Sequence, residues 1–123
     1  MSRFKHGDLP QRSKHFALRV LDFVDLLPNN TKGWIISKQL VRAGTGIGAN
    51  LREADGALTD REFAQLANIA RRQGEESGYW LELCHESPGM LTVPDSASAL
   101  ISEADELHKI LASIVRKTQE NLK

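Results

Sequence analysis

A single cysteine, Cys84, is all the thiol chemistry this sequence offers, so no internal disulfide can form and a reducing compartment is compatible with it. Cys84 is expected to serve as a small core hydrophobe. No apolar run approaches the roughly 18 residues of a membrane span, and the opening MSRFKHGDLPQRSK lacks the apolar stretch of a signal peptide. The expectation is a soluble, cytoplasmic protein with no membrane partner. Charge of one sign is also missing: 16 Lys and Arg balance 16 Asp and Glu. No global field draws the chain onto nucleic acid or anionic lipid, and any charged binding surface has to be a local patch. Aromatics make up only 6% of the 123 residues, which suits a core of Leu, Ile, Val and Ala in one helical domain.

What is present is helical periodicity. Within residues 11 to 27, Phe16, Val20, Phe23 and Leu27 recur at helical spacing before Pro28, Asn29 and Asn30 stop the pattern. From about Trp34 a second stripe runs through Ile36, Leu40, Ala43, Ile47, Leu51, Ala54 and Leu58. Thr59 and Glu62 have capping-box spacing, and a third helix is expected from there to about Glu86, with Phe63, Ala67, Ala70, Gly74, Ser77 and Leu81 on its packing face. SPGMLTVPDS reads as a loop, with Asp95 or Ser96 as the next cap. A fourth helix then carries Leu100, Ala104, Leu107, Leu111, Ile114 and Thr118 on one face. The fold class is therefore all-α, an antiparallel up-down-up-down four-helix bundle over residues 11–118, with loose polar tails at 1–10 and 119–123.

The stretch AGTGIGA, residues 43 to 49, matches the glycine pattern of a dinucleotide cradle. Such a cradle needs a preceding strand, a turn at the glycines and an acidic residue about 20 positions on after a second strand. The flanking residues instead continue the helical stripe. Gly44 and Gly48, four apart, lie one above the other and open a shallow groove. Ala67, Ala70, Gly74 and Ser77 on the third helix are small enough to approach it, so close packing of helices two and three is expected to offset the cost of about 0.5–1 kcal/mol per helical glycine.

Two further faces draw attention. Opposite the apolar stripe of helix two, Lys38, Arg42 and Arg52 fall within about 80° of one another at 100° per residue. Guanidinium groups there can pair with phosphate oxygens, although an ordinary solvated face carries the same three charges. On helix three, Ile69, Arg72, Glu76, Tyr79, Trp80 and Leu83 form a second stripe away from the packing face. Arg72 and Glu76 have the spacing of an intrahelical pair, and Tyr79 and Trp80 are residue types that interfaces favour. A four-helix chain has nothing left to cover this stripe, so a subunit interface is expected.

Catalytic and metal signals are sparse. Glu82 with His85 and Asp105 with His108 have the carboxylate-x-x-His spacing of di-iron bundles. In an antiparallel pair, however, the two histidines sit about 16 Å apart in level, at 1.5 Å per residue. Helices one and two offer no inward glutamate, since Glu53 lies off the stripe and helix one has only Asp22 and Asp25. His6 and His15 have no evident partner, and no Ser or Cys has a base at catalytic spacing. No enzyme activity, cofactor or metal is expected.

QLVRAGTGIGANLREA (39–54) and FAQLANIARRQGEESGYWLEL (63–83) resemble the two signature helices of the four-helix bundle proteins encoded in bacterial large-subunit ribosomal RNA intervening sequences. That family is itself similar to the accessory variability proteins of diversity-generating retroelements. The match in helix two includes Gln39, Arg42, Thr45, Gly48, Asn50 and Glu53. In helix three it includes Phe63, Ile69, Ala70, Glu76, Tyr79, Trp80 and Leu83. Gly46 stands where the family has serine, and Arg72 with Gln73 replaces a Lys-Glu pair. The resemblance implies a ring-like homo-oligomer, a pentamer, and in the retroelement branch a basic ring that binds a reverse transcriptase and nucleic acid. Arg42, Asn50, Arg52 and Glu53 lie off the core stripe and are where a partner, such as a nucleic acid or a nucleic-acid-handling protein, would be met; Gln39, Asn50 and Glu53 are the polar residues of the matched motif. Lacking net charge, this chain looks less suited to tight RNA binding than basic members of the retroelement branch.

Overall fold

The computed structural model describes residues 3–4 and 8–122, which contain four α-helices and no strand. These are α1 (Asp8–Phe23), α2 (Thr31–Asp55), α3 (Asp60–Glu86) and α4 (Ser98–Asn121), with 3-10 turns at Val24–Leu26 and Pro94–Ala97. Among the described residues no helix is long and apolar enough to cross a membrane.

The periodic stripes become the core. Phe16, Val20, Leu40, Ile47, Leu51, Leu81, Leu107 and Leu111 are all fully buried, and each large apolar side chain taken from water contributes about 1.5–3 kcal/mol. On α2 the stripe holds from Ile36 to Ala54 and then fails: Leu58 lies beyond the helix and is 92% exposed, while Ala57 is buried in its place. On α4 Val115 is buried and Ile114 only half-buried, a one-residue rotation of the expected face.

The helix ends show which local signals act. Asn30, one of the residues expected to stop α1, also starts α2: its side-chain oxygen accepts from the Gly33 N–H at 3.0 Å. Gly33 has no room for a side chain, since a Cβ there would lie 1.9 Å from the Pro28 carbonyl oxygen. At the start of α3 the Thr59 hydroxyl accepts from the Glu62 N–H at 3.1 Å as expected, but the Glu62 carboxylate reaches the N–H of Leu58 instead of the cap residue's own. Neither Asp95 nor Ser96 caps α4. A 3-10 turn occupies those positions, the Ser96 hydroxyl donates to the Val93 carbonyl, and Ala97 precedes the helix with no side-chain cap. Gly89 is the one described residue with positive φ, 78°, in the third place of a Ser87–Met90 turn where glycine is required.

The first helix begins at Asp8, three residues before the expected boundary, and α4 reaches Asn121. A loose tail over 1–10 does not describe residues 3 and 4. Phe4 is buried against Phe63, ring centroids 5.6 Å apart, and Arg3 lies over the same ring at 5.1 Å. The Arg3 side chain also donates to the Ala57 carbonyl and to Asp60. Arg3 and Phe4 thus clamp the α2–α3 turn. Residues 1, 2, 5–7 and 123 lie outside the described residues, and His6 is among them.

Contacts between helices run in opposite numerical order. Gly44 meets Val20 whereas Gly48 meets Ser13 and Lys14; Gly46 meets Gln73 while Arg42 meets Glu76; Gly74 meets His108 and Gly78 meets Ala104. The groove made by Gly44 and Gly48 therefore receives α1, and helix three does not fill it as expected. The reason is rotational: these glycines lie on the α1 side of the Leu40–Ile47–Leu51 stripe, and Gly46 on the α3 side. Gly74 in turn faces α4 and Ala70 is buried in the core.

Candidate interaction surface

The basic strip and the second stripe, on different helices, meet at one point. Arg42 of α2 forms an ion pair with Glu76 of α3, and the same carboxylate oxygen accepts from the Trp80 indole N–H at 2.9 Å. The Gln39 side-chain oxygen accepts from Arg42 at 3.1 and 3.2 Å. Tyr79 stands edge-on to Trp80, centroids 5.3 Å apart. Gln39, Arg42, Glu76 and Trp80, two on each helix, thus form one polar cluster across the α2–α3 seam.

This arrangement corrects a pairing expected from spacing alone. Glu76 does not pair along the helix with Arg72, because its side chain is drawn toward α2. The intrahelical pair on α3 is Arg71 with Glu75, at 3.6 Å. The basic strip is also less uniform than its spacing suggests. Arg42 is paired with Glu76, whereas Lys38 and Arg52 are exposed with no ion pair among the described residues. Asn50 turns inward along its own helix and donates to the Gly46 carbonyl at 2.7 Å; Thr45 does the same to Val41 at 2.6 Å. Glu53 stays exposed.

The second stripe is graded. Ile69 and Tyr79 are 41% and 55% exposed, whereas Trp80 and Leu83 are partly buried against the core. Beside them lies an empty acceptor: Gln73 Oε1 is buried without a hydrogen-bond partner, 3.2 Å from where a Cβ on Gly46 would sit. Gly46 and Gln73 are therefore neighbours in space. Sequence reading missed Trp34 and Ile35, which are 61% and 56% exposed in the first turns of α2. Their only signal was apolar character just off the Ile36 stripe.

His85 and His108 each meet a backbone carbonyl. His85 Nδ1 lies 2.9 Å from the Pro94 carbonyl and His108 Nδ1 3.3 Å from that of Arg71. Among the described residues no three His, Cys, Asp or Glu side chains converge as metal ligands. Burial pushes the Cys84 thiol up to about 11, so it stays protonated and unreactive at neutral pH. Across the far side of the bundle, Arg12 of α1 makes two 2.7 Å hydrogen bonds to Glu103 of α4, and this holds the Glu103 carboxyl below its ordinary range.

A family model for the 23S rRNA-intervening sequence protein matches residues 5–113, a span that includes the α2–α3 seam with its Gln39–Arg42–Glu76–Trp80 cluster. The chain belongs to that family. Among solved structures, this intervening-sequence family member is similar to a protein of unknown function from the S23 ribosomal protein family of Bacteroides thetaiotaomicron VPI-5482. The two share 33% identity and superpose with a TM-score of 0.79 over 92% of this chain and 99% of that one. No curated protein matches the sequence.

Proposed function

We propose that the chain is an antiparallel up-down-up-down bundle that self-associates, as a ring-like pentamer, and acts as a non-enzymatic scaffold or adaptor in the cytoplasm. The opposed order of helix contacts supports the topology. One observation carries the self-association: α3 buries one side fully in the core and still leaves Tyr79 55% and Ile69 41% exposed on the other. An aromatic and a β-branched residue held in water beside a pre-formed polar cluster are the makings of an interface with an apolar centre and a polar rim. Replacing both, Ile69→Asp with Tyr79→Asp, is expected to shift the protein to a smaller species on size exclusion; an unchanged elution volume would sink this reading.

The second reading is direct RNA or DNA binding through Lys38, Arg42 and Arg52. The ribosomal names of the family and of the solved relative favour a nucleic-acid context, and Lys38 and Arg52 have no competing partner. Against it, Glu76 occupies Arg42, and the two remaining cations are about 21 Å apart along α2 at 1.5 Å per residue. Multiplication in a ring would raise the effect of so weak a patch. If Arg42→Ala with Arg52→Ala bound RNA as well as the parent, the basic strip would have no part in binding.

A further inference from the structure

On α3, Glu75, Tyr79 and Glu82 follow one another at intervals of four and three, so they stand in one row, and all three are exposed. Glu82 has no ion-pair partner among the described residues, and Glu75 shares its charge with Arg71 at 3.6 Å. The row is a ridge along one wall of a groove that α4 completes with Ile101, Asp105 and His108, with an aromatic crest and a carboxylate on either side. Between α1 and α2 lies a groove of about 480 Å³ with the opposite character. Its floor is made of small residues, Ala17, Thr45, Gly48 and Ala49, and Lys14 and Arg52 stand on its rim. Glu53 on the same rim leaves a net single positive charge.

The floor at Gly48 lies lower than the packing of α1 requires. A Cβ on Gly48 would meet the α1 backbone at 3.6 Å, an ordinary contact, whereas one on Gly44 would press on Val20 at 3.0 Å. Alanine is the better helix former, and α1, although it packs on Gly48, leaves room for a methyl there, so that packing does not by itself require glycine at position 48.

We infer that the Glu75–Tyr79–Glu82 ridge of one copy docks into the α1–α2 groove of a second copy, with Tyr79 over Gly48 and Ala49 and the carboxylates meeting Lys14 and Arg52. This rests on the self-association reading above and names both surfaces of the contact. The ridge is acidic and the groove basic, so copies attract in this register and repel ridge to ridge. Ridge and groove lie on different helices, so assembly proceeds until every groove is filled, in a reciprocal pair or a closed ring.

Sedimentation velocity over a concentration series tests the pairing with Glu82→Arg, Arg52→Glu and the two combined. All are at exposed positions, and far-UV circular dichroism checks that each is folded; Glu82→Gln and Arg52→Gln replace any variant that is not. Each single reversal is expected to weaken self-association at least about tenfold, and the combination to restore it to within about threefold of the parent. A parent that is monomeric throughout overturns this inference together with the self-association reading. A parent that associates while both single variants do so equally well overturns this inference alone. Weakened single variants with no recovery in the combination overturn the pairing of these two surfaces.

Discussion

Arg42 and Trp80, one on α2 and one on α3, donate to the same carboxylate oxygen of Glu76. The cation and the indole are thereby locked at the seam by one acceptor, with Gln39 steadying the guanidinium from its own helix. Arg42 is 52% and Glu76 33% exposed, so screening keeps the pair modest. A double-mutant cycle of Arg42→Ala and Glu76→Ala is expected to give a coupling of about 0.5–1 kcal/mol in urea unfolding. Glu76→Ala should cost more than Arg42→Ala, since it also frees the Trp80 N–H. A coupling indistinguishable from zero would show that the network is not held in solution.

The two glycines of the α1–α2 contact should respond with opposite sign. Gly44→Ala places a methyl 3.0–3.3 Å from all three branch atoms of the fully buried and rotationally stiff Val20. Overpacking of about 1–3 kcal/mol outweighs the helix-propensity gain of about 1, for a net loss near 1 kcal/mol. Gly48→Ala meets only contacts of 3.6–3.7 Å and should be stabilising by up to about 1 kcal/mol. Unfolding midpoints of the two variants against the parent check both, and equal effects would contradict the rotational assignment of α2.

Acid should loosen the α1–α4 contact through Glu103. Hydrogen bonding to Arg12 lowers its carboxyl in the folded state, so its contribution is present above the unfolded value of about 4.3 and is lost as pH falls through the lower folded value. Glu103→Gln is therefore expected to cost about 1 kcal/mol at pH 7, with the gap to the parent narrowing below about pH 4. Stability measured by urea unfolding between pH 3 and pH 7 follows this directly, and a gap that does not change with pH would assign the loss to packing alone.

Long stripes were legible because burial repeats every three or four residues: Phe16 and Val20, Leu40 to Ala54, and Phe63 to Leu81 all point inward. Leu58 was misplaced because periodicity carries no information on where a helix stops, and Gly56 with Ala57 ended this one early. Cap chemistry was legible where a side chain acts on its own neighbours, as Thr59 does, and failed at Asp95 and Ser96, where a 3-10 turn intervenes. Which helix fills a glycine groove depends on rotation by a fraction of a turn, and Gly44 and Gly48 turned to α1 for that reason. The candidate residues fall on two separate helices; that Arg42 and Glu76 join them depends on helix pairing, which no local spacing encodes. Trp34 and Ile35 escaped because an exposed apolar residue beside a stripe looks like part of it.

Self-association through the outward side of α3 is the centre of this account, and sedimentation velocity of the unmodified chain at micromolar concentration measures it most directly. The account predicts a species several times the mass of one chain that persists on tenfold dilution. A single boundary at the mass of one 123-residue chain would contradict it.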